Sequence, residues 1–353
     1  MATSTINNIT LDYPDSPCMV FNPCPLKVTG TLAKLQVYIN TGLQSYSLTY
    51  ETPNGGVIDV QEFMQSFFDG LYLGDDIDYT QACKASELGK DVNITVIALD
   101  TDSSTLAQFN ITIFCVWAAL TPGEDYIVHR NIKRFCNYPL TVGVHAANAA
   151  GGSINVIDAD DNNNVDTNTV AADGLFNVLV DLIPTGNTID VEYSFSRMGV
   201  PVTEKIYTVE CVDACCKDVI YLRWIDRRGF WCYWLFKKGS DTRSAVGEGM
   251  FRRNDLYLYD RTWQWHGNSG RRQNYSRQDV IPVCAPLVDR DTFDFLQDVT
   301  TSPAVDMYLG KVGTSHKWMP VIIEAGSYTK EMRRPEQDFI MNIVLPEIQI
   351  QKL

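Results

Sequence analysis

Oxygen-bearing side chains recur at alternate positions between residues 158 and 166, a spacing that can wrap a calcium ion. The set is Asp158, Asp160, Asn162, Asn164 and Asp166. Calcium takes about six to eight oxygen ligands, and an EF-hand loop also needs glycine at its sixth position and a bidentate glutamate at its twelfth. Asn163 and Thr169 stand at those positions here. Because Asn and Asp are also the ordinary residues of solvated turns, we interpret the segment as a loop and keep calcium as the weaker alternative.

Three neighbouring cysteines offer thiolates for zinc: Cys211, Cys215 and Cys216. Structural zinc normally requires a second Cys or His pair, yet the four histidines lie singly at His129, His145, His266 and His316. We therefore expect buried free thiols. We expect most of the ten cysteines to be reduced, because residues 1–8 have neither the basic nor the apolar part of a signal peptide and predict synthesis in a cytosol.

Catalytic motifs are absent from the sequence. It contains no G-x-S-x-G, P-loop, H-E-x-x-H or dinucleotide-binding glycine pattern. The adjacent acids at 75–76 and 124–125 can in principle serve a glycosidase, a case that only geometry decides. We predict a non-enzymatic protein with no catalytic residue, no cofactor and no required metal.

The most distinctive segment is an aromatic hairpin. Residues 220–225 and 230–236 are two apolar runs around Asp226-Arg227-Arg228-Gly229, with glycine where a turn needs a positive φ. Strand alternation puts aromatic or apolar side chains on both faces of residues 230–236, so both faces need a cover. We expect one cover to be the domain core and the other to be another domain or another copy of the chain.

Aromatic and arginine residues are enriched at protein interfaces, and this region holds many of both. The predicted interface residues are Trp224, Arg227, Arg228, Trp231, Tyr233, Trp263, Trp265, Arg271 and Arg272. Two alternatives stay open. Exposed aromatic rings can stack on sugars, and aromatics interleaved with arginines are typical of single-stranded nucleic-acid sites. Nearby acids make the nucleic-acid alternative the weaker one.

The fold class predicted is mainly β, with β-sandwich-like domains and minor α. Short β-branched runs separated by Gly, Asn, Asp and Pro favour strands throughout. We predict an N-terminal β domain over 1–120, a second sandwich over 121–210 and an aromatic, arginine-rich β domain over 211–353. Helical spacing of apolar residues predicts one helix over 59–73, with Asp59 as its cap, and another over 291–300.

Charge is unevenly spread along the chain. Residues 1–210 hold 9 Lys and Arg against 25 Asp and Glu, a net charge of −16, whereas the remainder has a net charge of +2. So acidic a part repels phosphate backbones, and no apolar run reaches the ~20 residues that span a bilayer. We expect neither a nucleic-acid nor a membrane partner. Unlike halves suit self-assembly, in which unlike surfaces of neighbouring copies meet.

Three parts of the chain resemble proteins of phages and prophages of Bacteroides-like bacteria. The first comprises residues 117–124 and 135–141, the second is the hairpin at 220–236, and the third comprises 301–305, 317–324 and 327–330. The resemblance runs from Trp117 to the C-terminal region, and the hairpin is its most specific part.

What the resemblance implies is a bacteriophage virion protein of distal-tail or tail-tip type, assembled in the host cytoplasm. Such a protein forms a homo-oligomeric ring, a hexamer or dodecamer, that joins the tail tube to neighbouring tail proteins. A collar, connector or tail-hub ring protein is one alternative. A carbohydrate-binding adhesin with a host-surface glycan as partner is another, and it predicts exposed tryptophans. A glycan hydrolase predicts two carboxylates facing each other across a cleft.

Overall fold

The computed structural model confirms a mainly β protein, with 59% of the chain in strands and 6% in helices. It describes residues 1–70, 73, 76–121, 123–147, 152–161, 163–180, 187–213, 218–251, 259–260, 264–265, 271–331 and 334–349. Within these ranges no helix is long and apolar enough to cross a membrane.

The secondary structure elements follow one another along the chain. The first group is β1 (Ala2–Ile6), β2 (Ile9–Tyr13), β3 (Cys18–Met19), β4 (Pro25–Thr29), β5 (Lys34–Asn40), β6 (Ser45–Glu51), β7 (Gly55–Asp59), α1 (Gln61–Ser66), β8 (Cys83–Ala85), β9 (Gly89–Leu99) and β10 (Thr105–Val116). The second is β11 (Arg130–Phe135), β12 (Thr141–Ala146), β13 (Gly152–Asp158), β14 (Asn163–Val170), β15 (Gly174–Leu179), β16 (Thr188–Arg197) and β17 (Val200–Val212). The third is β18 (Val219–Ile225), β19 (Trp231–Lys238), β20 (Thr242–Phe251), β21 (Tyr259–Asp260), β22 (Gln264–Trp265), β23 (Arg271–Val288), α2 (Arg290–Gln297) with a 3₁₀ turn (Asp298–Thr300), β24 (Val305–Val312), β25 (Ser315–Pro320), β26 (Ile322–Ile323), β27 (Gln337–Val344) and β28 (Ile348–Gln349).

Two sheets form the N-terminal sandwich. Their strand orders are β1-β2-β4-β7 and β3-β10-β9-β5-β6. Alternation along β5 buries Leu35, Val37 and Ile39 completely, and they join Leu11 and Leu26 of the other sheet in one apolar core. Burying each such side chain contributes about 1.5–3 kcal/mol, so period-two patterning is enough to bring the two sheets face to face.

A second pair of sheets follows, with orders β11-β17-β16-β13-β14 and β12-β15-β8. Two tyrosines of the larger sheet form hydrogen bonds with the backbone of β12 or of the residue that follows it. Tyr207 Oη donates to the Gly143 carbonyl at 2.8 Å, and Tyr193 Oη donates to the Ala147 carbonyl at 2.9 Å. Strand β8 precedes residue 120 but pairs with β15, with Ala85 opposite Phe176. The first two predicted domains thus share a sheet.

The contacts between residues divide the chain into two compact units. The first comprises Met1–Ala214, Trp224–Tyr233 and Lys311–His316, and the second comprises Cys215–Arg223, Trp234–Gly310 and Lys317–Leu353. One break in this division follows Ala214, β8 pairs across residue 120, and residues of the aromatic hairpin are assigned to both units.

Most strands of the second unit belong to one sheet, with the order β25-β24-β18-β19-β23-β27-β26 and with β20 and β28 paired to β23. Helix α2 contacts β27, where the Phe293 ring meets Phe339 edge-on at 5.3 Å. The helix predicted over 291–300 is observed as α2 and the 3₁₀ turn that follows it, but its N-cap is Asp289, whose Oδ1 accepts from the Thr292 amide at 2.7 Å.

The first predicted helix is corrected by the structure. Helix α1 covers Gln61–Ser66 rather than 59–73, and its N-cap is Val60 without a side-chain hydrogen bond. Asp59 ends β7 instead, and its Oδ1 accepts from the amides of Cys24 and Gln61, both at 3.0 Å. Turns follow the helix, with Gly70 at φ +76°. The spacing of the apolar residues still indicates which side chains are buried, since Val60, Met64, Phe67 and Phe68 are all buried.

Candidate functional site

The turn of the aromatic hairpin is built by one carboxylate. Asp226 Oδ1 accepts from the amides of Arg228 at 3.0 Å and Phe230 at 2.9 Å. Gly229 has φ +77°, and a Cβ there would lie 2.9 Å from the Trp117 carbonyl oxygen. Both the positive φ and the close approach require glycine, so the predicted hairpin and its turn are confirmed.

A buried ion pair between Arg130 and Asp226 stabilises this turn. Arg130 Nη2 lies 2.7 Å from Asp226 Oδ2, and the two side chains are 15% and 1% exposed. The guanidinium also lies 5.8 Å from the centre of the Phe230 ring. Burial alone would lower the pKa of Arg130, but the Asp226 charge outweighs it and raises that pKa above its ordinary value. The guanidinium is therefore charged at every physiological pH.

The turn arginines contact acidic neighbours of the same chain. Arg227 Nη2 donates to Glu124 Oε1 at 2.6 Å and Nη1 donates to Thr121 Oγ1 at 3.2 Å. Arg228 donates to the Asp125 carbonyl from Nε and Nη2, both at 3.4 Å. Hydrogen bonds from Thr121, with a smaller contribution from Arg227, lower the pKa of Glu124. Arg227 and Arg228, two of the four predicted interface arginines, therefore form contacts within the protomer.

The predicted interface aromatics are buried within the chain. Trp224 is 0% exposed, and Trp231 and Tyr233 are each 3% exposed. Their rings are therefore not exposed to a second copy or to a sugar. Trp263 lies outside the described residues, as do the side chains of Trp265, Arg271 and Arg272.

Trp231 donates a hydrogen bond to a buried carboxylate, Asp76, whose structural role the sequence did not indicate. Asp76 is 1% exposed. Its Oδ2 accepts from Trp231 Nε1 at 2.7 Å and Asn177 Nδ2 at 3.0 Å, and its Oδ1 accepts from the Glu87 amide at 2.6 Å. Ser86 Oγ lies 3.0 Å from both oxygens. Neutral donors from three separate segments thus hold this charge, which the sequence offered only as half of an acidic pair.

A pocket with unpartnered polar atoms lies beside the hairpin turn. Its walls are Tyr126, Ile127, Val128, Arg130, Gly143, His145, Ile206, Tyr207 and Phe230. Tyr126 Oη and His145 Nδ1 are buried, and neither has a hydrogen-bond partner among the described residues. The Tyr126 ring stacks on Phe230 at 5.4 Å and meets His145 edge-on at 5.5 Å. None of the wall residues is a carboxylate, so the pocket lacks the acid pair of a glycosidase.

We expect His145 to make folding sensitive to mild acid. Burial lowers the pKa of His145 from 6.5 to about 4, so between these values the unfolded chain binds a proton that the folded chain does not. The contribution of His145 to the free energy of unfolding should not change with pH above 6.5. As the pH drops from 6.5 toward 4, the free energy of unfolding should fall by about 1.4 kcal/mol per pH unit.

The measurement is urea unfolding across that pH range for the wild type, His145→Phe and the exposed control His129→Phe. The difference in stability between the wild type and His145→Phe should change with pH between 4 and 6.5. A difference that is independent of pH would rule out a neutral buried His145. The control should follow the wild-type profile, because His129 is exposed.

The calcium candidate adopts a different structure from the predicted loop. Residues 163–170 form strand β14, antiparallel to β13, with Asn163 opposite Asp158 and Asn164 opposite Ile157. This edge strand tolerates polar residues because most of its side chains face solvent. Asn162 lies outside the described residues.

The candidate calcium ligands bind donors of the protein. Asp158 accepts from the Asp160 amide at 3.0 Å and Asn187 Nδ2 at 3.2 Å. Asp160 accepts from the Thr188 amide at 3.1 Å, and Asp166 accepts from the Thr167 amide at 2.9 Å. These bonds stabilise the hairpin and its neighbour β16, which is a structural use of the same oxygens.

The zinc candidate includes residues that the structure does not describe. Cys211 is buried and has a free thiol, and burial is the largest cause that raises its pKa. Cys215 and Cys216 lie outside the described residues. Of the other described cysteines, Cys18, Cys24, Cys115 and Cys232 are buried, and Cys83, Cys136 and Cys284 are half-buried.

An apolar strip lies on the outward face of the second unit's sheet. Strand β27 buries Phe339, Met341 and Ile343 on one side, whereas Ile340 on the other side is 59% exposed. The cross-strand neighbours of that outward face continue the strip. Cys284 is opposite Ile340, Val280 is opposite Val344, and Ile322, which is 70% exposed, is opposite Val344 on β26. Directly opposed residues share a face, so these side chains lie on one face of three adjacent strands, with the half-buried Asn342 between Ile340 and Val344 on β27.

Comparison with solved structures gives a likeness at low sequence identity. No family model matches the chain, and no curated protein matches it. Fibronectin(III)-like modules of CbhA from Clostridium thermocellum are similar with a TM-score of 0.18 and 11% identity, over 58% of this chain and 95% of that chain. A likeness at this level carries no argument about function.

Proposed function

We propose that the protein is a structural subunit of a bacteriophage virion, a ring-forming component of the tail that joins the tail tube to neighbouring tail proteins. The observation that carries the proposal is the outward apolar strip around Ile322 and Ile340. Large apolar side chains that are exposed on one face of a sheet favour a protein partner. The resemblance at residues 220–236 favours a virion as the place of that assembly.

The neighbour that we propose for the strip is another copy of this chain. A ring needs a heterologous interface, in which one surface of each copy meets a different surface of the next. The net charge of −16 over residues 1–210 and +2 over the remainder favours contact between unlike parts of adjacent copies. A hexamer or dodecamer is the expected product, with a collar, connector or tail-hub ring as alternative positions in the virion.

The contacts of the acidic residues and the burial of the aromatic residues support a structural role rather than a catalytic or a sugar-binding role. Asp76 and Glu124, which belong to the two acidic pairs of the sequence, hold Trp231 and Arg227 respectively. The adhesin alternative needs exposed rings, but the described hairpin tryptophans are buried. A glycan screen that gave binding abolished by a substitution on the chain's surface would favour the adhesin instead.

We expect substitution in the apolar strip to prevent assembly. Ile340→Asp combined with Ile322→Asp puts two charges where the proposed contact excludes water, so the closed oligomer of 39.7 kDa subunits should become a monomer. The measurement is light scattering at several protein and salt concentrations, with circular dichroism to verify folding.

The matched control is Met198→Asp, since Met198 is an apolar side chain that is 98% exposed in the β16–β17 turn. This variant should keep the wild-type mass. An oligomer that survives the double substitution would exclude the strip as the contact. A wild-type chain that stays monomeric under every condition would argue against self-assembly altogether.

A further inference from the structure

Three thiols and a thioether meet in the core of the N-terminal sandwich. Cys18 of β3 lies opposite Cys115 of β10 in their parallel pairing. The Cys24 Sγ lies 2.9 Å from the Cys18 Sγ, and the Cys115 Sγ lies 3.9 Å from the Met64 Sδ. All four side chains are buried, with Cys18 at 6% exposure and the others at 0%.

The short distance between their sulfur atoms distinguishes Cys18 and Cys24 as a pair that can form a disulfide. A disulfide has an S–S length of about 2.05 Å, so Cys18 and Cys24 need an approach of less than about 1 Å. The Cys24 Sγ is also positioned by the Asn22 carbonyl at 3.4 Å, on the short connection between β3 and β4. Metal binding is the other use of clustered thiols, but the described residues contain no group of three His, Cys, Asp or Glu that could hold an ion.

We propose that Cys18 and Cys24 are a redox pair that closes to an intramolecular disulfide when the protein meets an oxidising environment. The oxidant is a low-molecular-weight disulfide such as oxidised glutathione. One protein thiolate attacks it and releases one glutathione thiol, and the second protein thiolate then attacks the mixed disulfide and releases the other. The protein loses two protons and two electrons, and the oxidant gains them as two thiols.

Burial makes this closure slow in the folded state. The hydrogen bond with Cys115, together with burial, raises the pKa of Cys18 to about 12, and the hydrogen bond with Cys18 and burial raise the pKa of Cys24. Because the thiolate is the reacting species, both thiols persist in a reducing cytosol, and closure is fastest when the β3 segment opens or while the chain folds. Once formed, the disulfide is shielded from reductants by the same core.

The experiment uses the full chain refolded from urea in oxidised glutathione, digested with trypsin without reduction and analysed by mass spectrometry. The sequence makes the readout unambiguous. Cys18 and Cys24 fall in the single peptide 1–27, whereas Cys115 falls in peptide 91–130. The proposed disulfide leaves peptide 1–27 lighter by two hydrogens and unlinked to any other peptide.

Two variants test whether the disulfide forms between Cys18 and Cys24. Cys115→Ser should still form the disulfide in peptide 1–27, and Cys24→Ser should lose it. In the wild type, free thiols after refolding, glutathione retained on either cysteine, or a crosslink between peptides 1–27 and 91–130 would each overturn the proposal. A folded sample kept in oxidised glutathione should close many-fold more slowly than the refolding sample, and equal rates would overturn the proposed protection by burial.

Discussion

Asp76→Ala is expected to lower the free energy of unfolding by about 4 kcal/mol, one of the two largest single-residue effects that we predict for this protein. The substitution removes the acceptor of Trp231 Nε1, Asn177 Nδ2 and the Glu87 amide. These donors stay buried, and each unsatisfied buried donor costs about 1–3 kcal/mol. Because the described donors to Asp76 are neutral, the loss comes from hydrogen bonds and not from an ion pair.

Urea unfolding followed by tryptophan fluorescence measures this effect. Asp76→Asn should cost less than Asp76→Ala, since the amide keeps one oxygen acceptor but turns a new donor toward existing donors. Asp69→Ala is the control, because Asp69 is an exposed carboxylate on the same stretch of chain. Its change should stay within about 0.5 kcal/mol. A loss for Asp76→Ala as small as that of the control would mean that the buried network does not stabilise the fold.

The hairpin illustrates how much of this fold the sequence predicts. The aromatic and apolar run at residues 230–236 and the glycine after Asp226-Arg227-Arg228 are local signals, and the structure has the hairpin and a glycine φ of +77° at the expected place. The same local signals predict the strand pairs β5–β6 and β9–β10. Such elements are predictable because adjacent residues determine the turn and the face that is buried.

The site around the hairpin was not predictable in the same way. Trp231 and Asp76 are 155 positions apart, and Asn177 and Asp76 are 101 apart. No periodic pattern links residues at such separations, so the sequence indicated that the hairpin needs a cover but not what supplies it. Strand β14 was missed for a different reason. Its Asn and Asp residues are typical of turns, yet an exposed edge strand places few demands on side-chain polarity.

Arg130→Met is expected to destabilise the protein by about 3–5 kcal/mol, because it leaves the Asp226 carboxylate buried without its counter-charge. Asp226 is 1% exposed, so water cannot replace the guanidinium without opening the turn. Asp226→Asn should cost less, about 2 kcal/mol, since an amide oxygen can still accept from the Arg228 and Phe230 amides.

The double variant Arg130→Met with Asp226→Asn provides the decisive comparison. Once the charge of Asp226 is gone, the loss of the guanidinium no longer leaves an unpaired ion, and the introduced apolar side chain fits beside the Phe230 ring, which Arg130 contacts in the wild type. The double variant should therefore be more stable than the sum of the single losses predicts, with a coupling energy of about 2 kcal/mol. The exposed pair Lys34–Glu51, with nitrogen and oxygen 3.6 Å apart and 39% and 80% exposure, is the matched control.

A cycle built on Lys34→Met and Glu51→Gln should give a coupling below about 1 kcal/mol, because solvent screens that pair. Equal couplings in the two cycles would mean that burial does not strengthen the Arg130–Asp226 interaction. A larger coupling for the buried pair would establish that the turn of the aromatic hairpin is held by charge from within the chain.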